Sequence, residues 1–380
     1  MLTTNSSLMD GINRHILTVA PIMNKYEGCE VAVCTVFPRG ALVEELEREG
    51  VRTFSLNASS GHDISLFRAF NKIMRDYNPD IIHSHVMALY EKILLSTLYR
   101  SKKYVKTVHG ISDKVLHETL RMKLERTMNK IFQIRYNAIC YVSNGVRQHF
   151  SKDDFNGIYT VYNPLKFSSV PDKKHILHKL IEVPETTPII GTSCRFAQVK
   201  NPILFTDVMC RVLQANHRAH AVVIGDGELA LKQAMENLVM EANVSSRFHF
   251  LGYRQDAPEL VRDLNCFVMT STSEGLPTSI LESMASKTPF AMMEGNGGLK
   301  DIAVLNREEG PIGVVAPIGD IESLSKMICD LIDNPDYAQV LANNAYNVGR
   351  VYFDVTKVGL QLYKIYASLF ENSNNNVGKE

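Results

Sequence analysis

Two carboxylates, Glu274 and Glu282, stand eight residues apart in the stretch STSEGLPTSILESMASKTP (271–289). Pro277 suits the first position of a helix, where its missing N–H costs no hydrogen bond and its fixed φ is already helical. Ile280, Leu281, Met284 and Ala285 follow at helical spacing and form an apolar stripe. Glu274 is thereby placed in the approach to the helix, and Glu282 falls off the stripe, roughly 7–8 Å along the axis from Pro277. Leu276, Pro277 and Thr278 open that helix, where unsatisfied N–H groups and the helix dipole favour a phosphate. With a nucleotide laid across this start, Glu282 can accept hydrogen bonds from two ribose hydroxyls, and Glu274 would reach the other end of the ligand. Taken by themselves, the same residues also fit a capped surface helix with solvated acids.

Three further groups could join such a site. Arg195 and Lys200 in SCRFAQVKN follow a strand pattern and precede a helix, and two cations there can neutralise a diphosphate. A solvated pair of loop charges is the competing reading. Gly225 and Gly227 in GDGE permit a tight turn and close approach of a ligand, although G-x-G alone is a weak signal. His109 ends a strand ahead of Gly110; a strand-end histidine is more often structural than catalytic. His83 and His85 share one side of a strand by alternation, but no cysteine or carboxylate cluster completes a metal site, so no metal centre is expected.

The composition limits the alternatives. The chain has 380 residues, enough for two domains, with 45% apolar and 22% charged residues as in an ordinary globular protein. Forty-one Lys and Arg balance 41 Asp and Glu, so no global charge argues for nucleic acid. The balance is uneven: residues 96–150 carry eleven Lys/Arg against three Asp/Glu, which predicts a basic face in the first half. The segment 112–136 reads as an amphipathic helix bearing Arg121, Lys123, Arg126 and Lys130, either packed on a sheet or resting on an anionic membrane surface. Seven cysteines are scattered singly with no C-x-x-C pair, which suits a reducing compartment and small core roles. No apolar run approaches the ~20 residues of a membrane span. The polar start, MLTTNSSLMDG, shows no secretory signal, so the expectation is a cytoplasmic protein, peripheral on the inner face of the cytoplasmic membrane if the basic face is used.

Short β-rich runs alternate with helical patterns almost throughout. Strands are expected over 29–37, 53–56, 80–85, 103–109 and 138–143, then over 188–194, 219–227, 247–252, 266–271, 289–293 and 312–316. Helices are expected over 64–77, 114–135, 201–216, 229–242 and 257–264. Apolar strands alternating with helices mean parallel sheets covered on both faces. The fold class expected is therefore α/β, with two doubly wound Rossmann-like domains, 1–165 and 166–354, facing a central cleft. The Pro- and Ser-rich stretch 162–188 is the predicted linker, a last helix at about 355–371 packs back on the first domain, and the polar tail after it is expected to be disordered. Only four residues precede the polar NSS, so the first strand is short.

In this order, DIIHSH, TVHG, GTSCRFAQVKN, VVIGDGEL, FLGY, SEGLPTSILESMAS, GGLKDI and VVAPIGDIESL resemble the family four retaining glycosyltransferases of GT-B fold (glycosyl transferases group 1). The resemblance runs from about Gly11 to Leu369. It implies transfer of a sugar, with retention, from a nucleotide-sugar to a hydroxyl of a saccharide or lipid-linked acceptor in cell-surface polysaccharide biosynthesis. A UDP-sugar is preferred on family frequency and a GDP-sugar comes second. Arg195 and Lys200 would hold the donor diphosphate, Glu282 the ribose, and Glu274 the sugar near the reacting centre. His109 would touch sugar hydroxyls, and Gly11 would belong to the glycine loop near the phosphates. No cofactor and no divalent metal are implied, and no nucleic acid. The sequence departs from the family pattern in Asp10 for a glycine, Lys287 for a small residue and Asp301 for a glutamate. The altered first loop leaves open a catalytically silent nucleotide-sugar binder, or an epimerase of the same fold.

Overall fold

A computed structural model of the chain describes residues 1–7, 11–60, 65–85, 95, 98–111, 127, 131, 136–150, 157–168, 170 and 173–374. The chain divides into two compact units, Met1–Pro164 with Val355–Glu380, and Leu165–Asp354. Each unit is built on its own parallel sheet.

The first sheet has the strands β1 (Leu2–Thr3), β2 (Ala32–Thr35), β3 (Arg52–Ser55), β4 (Ile81–Ser84), β5 (Lys103–Val108), β6 (Ala138–Tyr141) and β7 (Ile158–Thr160). Their order is β3-β2-β1-β4-β5-β6-β7, and every pairing is parallel. The strand β7, in GIYTVY, had no place in the sequence reading, because three partly buried residues give too short a pattern to register. On one face, helix Gly11–Met23 packs Ile16, Val19, Ala20 and Met23 against Val358, Leu362, Ile365 and Leu369 of the last helix, Val355–Asn374. A Cβ at Gly359 would lie 2.7 Å from Ile22 Cγ2, so glycine permits this close helix crossing. On the other face, Leu66, Phe70 and Met74 of helix Ser65–Asp76 cover Leu2, Cys34 and Ile82. The central strand β1 is the short one. At the amino end of the sheet a cavity of about 600 Å³ is lined by Met1, Val31, Ala32, Ile81 and Tyr366, among others.

The second sheet is formed by β8 (Ile189–Ser193), β9 (His220–Ile224), β10 (Phe248–Phe250), β11 (Cys266–Met269), β13 (Phe290–Met293) and β15 (Val314–Ala316). A separate two-stranded ribbon pairs β12 (Ser273–Glu274) with β14 (Asn296–Gly297). The order of the large sheet is β10-β9-β8-β11-β13-β15, again all parallel. Both β11 and β13 are buried at all four positions, as strands covered on both faces must be.

Two expectations change. The stretch 162–188 is more than a linker: from Leu165 it is built into the second unit, and it contains a helix, Ile176–Leu180. The carboxylate of Asp263, almost wholly buried, accepts the backbone N–H groups of His175, Ile176 and Leu177 and so caps that helix. The last helix runs on to Asn374, past the predicted end at 371. The amphipathic segment 112–136 and its basic residues lie outside the described residues, apart from positions 127, 131 and 136. Asp10 and residues 375–380 also lie outside them.

Candidate active site

In an open parallel sheet, ligands bind beyond the carboxyl ends of the strands, where the strand order reverses. The second sheet reverses between β8 and β11. The loop after β8 carries Arg195 and Lys200, and the segment after β11 carries Glu274. The two loops are stitched together: Thr272 N donates to Val199 O at 2.8 Å, and Thr270 Oγ1 donates to Asn201 O at 3.1 Å. Asn201 sits in the left-handed region (φ 49°) and turns the chain into helix Pro202–Ala215. Lys200 Nζ thereby reaches Glu274 Oε1 at 2.5 Å, with side-chain exposures of 26% and 12%. A sheltered pair of this kind is screened little by solvent, and it leaves an ammonium and a carboxylate ready to exchange partners.

Arg195 is exposed and is flanked by two anchored residues. Cys194 N donates to Ile224 O, and Phe196, buried, exchanges backbone hydrogen bonds with Asp226 and Glu228. Gly225 has φ 146°, and a Cβ there would stand 1.8 Å from the carbonyl oxygen of Cys194. The close approach that this glycine permits is therefore that of the Arg195 loop. Gly227 does the same toward Phe196, 2.4 Å from its oxygen.

Pro277 stands one place earlier than predicted. It is the residue before helix Thr278–Ala285, with ψ 101°, and its carbonyl accepts the first helical bonds from Ile280 and Leu281. Leu276 is buried, and Thr278 is partly exposed at the helix start. Glu282 is the fifth helical residue and is partly exposed, off the face formed by Ile280, Leu281 and Met284. Glu274 belongs to the ribbon β12–β14 rather than to a free loop. Gly298 allows the ribbon's far side to close, since a Cβ there would meet Gly275 O at 2.5 Å. Lys287 adopts φ 52° past the helix end, with its ammonium over the Tyr346 ring. Asp301 is buried in the first turn of helix Gly298–Glu308.

In the first sheet the order reverses between β1 and β4, and there the structure gathers four histidines. His83 and His85 lie on one side of β4 as alternation required, with rings stacked at 4.4 Å. His109 follows β5, and its Nε2 meets His85 Nδ1 at 2.8 Å. His15 comes from helix Gly11–Met23, its ring 5.1 Å from that of His109, and its Nδ1 faces Asn163 Oδ1 at 3.1 Å. His83 uses both nitrogens, on Tyr366 Oη and Thr107 Oγ1, each at 2.6 Å. Burial holds all four neutral: it pulls His15 down to about 4 and pushes His83, His85 and His109 well below the usual imidazole range. Among the described residues, no group of three or more His, Cys, Asp or Glu side chains is arranged to hold a metal ion. Gly11 opens its helix with no atom within 4 Å of an added Cβ. The sequence reading missed Asn13 nearby, fully buried, which accepts from Thr3 Oγ1 at 2.8 Å and donates to Ser7 O. It also missed His15. Both carry helical spacing alone, which gives no hint of a polar role.

Comparison with known proteins bears on the family and the fold. Residues 174–348 match the family model for glycosyl transferases group 1, and residues 9–167 match that for Glycosyltransferase Family 4. Two parallel-sheet units with these matches define the class: the chain belongs to the group 1 glycosyl transferases of GT-B fold, and it is a glycosyltransferase. The UDP-Gal:alpha-D-GlcNAc-diphosphoundecaprenol alpha-1,3-galactosyltransferase of Escherichia coli is 23% identical over 339 residues, 85% of this chain and 84% of that protein. Among solved structures, Anabaena HepE in complex with UDP and glucose has a TM-score of 0.78 at 18% identity, covering 97% of this chain and 98% of its own. A glycosyltransferase from Rickettsia africae has a TM-score of 0.78 at 19% identity, covering 98% of both chains.

Proposed function

We propose that this protein transfers a sugar, with retention of configuration, from a nucleotide-sugar to a hydroxyl of a saccharide or lipid-linked acceptor in cell-surface polysaccharide biosynthesis. The observation that carries the proposal is the sheltered Lys200–Glu274 pair beside exposed Arg195 at the reversal of the second sheet. A diphosphate arriving at the start of helix Thr278–Ala285 draws Lys200 and Arg195 to its oxygens. There they stabilise the charge that develops on the leaving group. Glu274 is released from its ion pair to meet a sugar hydroxyl, while Glu282 takes the ribose. His109 offers a hydrogen bond to a substrate hydroxyl. Two cations and a helix start supply the positive charge, so no divalent metal is required. A UDP-sugar donor is favoured by the relative named for UDP-Gal and by the neighbour solved with UDP; a GDP-sugar ranks second. The diphosphoundecaprenol in that relative's name favours a lipid-linked acceptor.

The test is release of free sugar from a panel of nucleotide-sugars, without acceptor and in excess EDTA. Slow hydrolysis of one donor is expected, and Lys200→Ala and Arg195→Ala should each lower it by about 100-fold or more. Binding without turnover would leave a silent binder, and formation of a new sugar-nucleotide would mark an epimerase. Wild-type rates in either variant would remove the diphosphate assignment.

A further inference from the structure

His85 has an unusual balance of contacts for a buried imidazole. It is 5% exposed, and its Nε2 has no hydrogen-bond partner. Its Nδ1 is 2.8 Å from His109 Nε2. Leaving a buried polar nitrogen unpaired is costly, so the one hydrogen bond that the His85 ring does make has to be accounted for. The neighbouring His83 has both nitrogens satisfied, by Tyr366 and Thr107.

The 2.8 Å contact requires one N–H and one lone pair, because desolvation and the neighbouring imidazoles keep both rings neutral. If His109 donated, the proton of His85 would sit on Nε2 as an orphaned buried donor. Orphaned buried N–H groups are rare, whereas an unused acceptor lone pair is tolerated better. The arrangement of lower cost has His85 donating from Nδ1, with its bare Nε2 buried. His109 must then carry its own proton on Nδ1. That nitrogen meets no partner among the described residues, and His109 is partly exposed at the carboxyl end of β5, beside the reversal point of the sheet.

We infer that His85 is a positioning residue that sets the tautomer and orientation of His109, so that His109 Nδ1–H is held out as a donor to a hydroxyl oxygen of the bound substrate. The inference rests on the glycosyl-transfer reading for the identity of that oxygen, but not for the tautomer itself. His15, with its ring 5.1 Å from that of His109, and His83, stacked on His85, complete the neutral surround.

The tautomer can be read directly from long-range ¹H–¹⁵N correlation spectra of the whole protein labelled at histidine, with His109→Asn used to assign the ring. The expected result is a pyridine-type Nε2 and a protonated Nδ1 for His109. A protonated Nε2 on His109 would overturn the inference, whatever the enzyme's activity. Kinetics give a second reading. His85→Asn keeps a donor near the Nδ1 position and should hold kcat/KM near wild type. His85→Leu, which keeps bulk without a donor, should lose about five- to tenfold, the worth of one neutral hydrogen bond. In a His109→Ala background, His85→Leu should cost nothing more. Equal losses for Asn and Leu, or a full additional loss in the double variant, would reduce His85 to a packing residue. A wild-type protein with the expected tautomer and no transfer from any donor would instead overturn the functional reading alone.

Discussion

Lys200 and Glu274 neutralise each other, so the two glutamates should fail in different ways when replaced. Glu274→Ala leaves the Lys200 ammonium without its carboxylate, and affinity for plain UDP or GDP should be kept or rise while turnover falls. Glu282→Ala removes the acceptor assigned to the ribose and should weaken binding of the same nucleotides by about tenfold, as expected for hydrogen bonds to a charged group. Calorimetric titration of both variants separates these outcomes, and parallel losses of nucleotide affinity would mean that the two carboxylates are misassigned. At the same scale, the buried histidines link stability to pH. Their folded pKa values lie below the unfolded value, near 6.5, so the unfolded chain binds more protons in between. The stabilisation is complete above about pH 6.5. It declines as pH falls toward the folded values, for His15 about 4, at about 1.4 kcal/mol per pH unit for each proton. Urea midpoints should therefore drop between pH 7 and pH 5, and a flat profile would show that the cluster is protonated or solvated in the native state.

Among the elements, the loops that follow β8 and β9 act as one piece. Gly225→Ala would force a Cβ against Cys194 O, at a φ of 146° that other residues avoid. The substitution should cost at least about 3 kcal/mol and displace Arg195. Gly310 also has positive φ, at 91°, but a Cβ there would meet nothing within 4 Å. Gly310→Ala should therefore cost only the backbone term, about 1 kcal/mol. Denaturant unfolding of the two variants compares a steric conflict with backbone strain, and equal midpoints would mean that the two loops separate freely. The two-residue ribbon β12–β14 has a comparable task, since it turns Glu274 from a loop acid into a residue fixed by strand pairing.

At the scale of the whole molecule, formal neutrality conceals the basic stretch 96–150. We expect the protein to pellet with vesicles containing anionic lipid and to be released by high salt, because the attraction is screened within about 8 Å at physiological ionic strength. Replacing Arg121, Lys123, Arg126 and Lys130 by Ser should abolish pelleting and spare donor hydrolysis. Equal binding to neutral and anionic vesicles would point to an apolar attachment, and binding to neither would make these charges a solvated surface. Among the described residues, no helix is long and apolar enough to cross a membrane.

The sequence by itself determined the two parallel sheets, because short, mostly apolar runs alternate with helical patterns, as strands covered by crossover helices require. It placed Arg195, Lys200 and Glu274 in segments between a strand and a helix, where turn residues punctuate the chain, and Glu282 inside the helix off its apolar stripe. Tertiary structure alone decided the rest. The ribbon holding Glu274 spans two residues per strand, too few for a periodic signal. Asp263 reads as an ordinary helix-end acid until folding brings three distant N–H groups to it. Gly225 faces the backbone of Cys194, a contact set by the packing of adjacent loops. The four histidines are separated by as many as 94 positions along the chain, from His15 to His109. They meet because β1, β4 and β5 lie side by side with their carboxyl ends together, and local spacing carries no record of strand order.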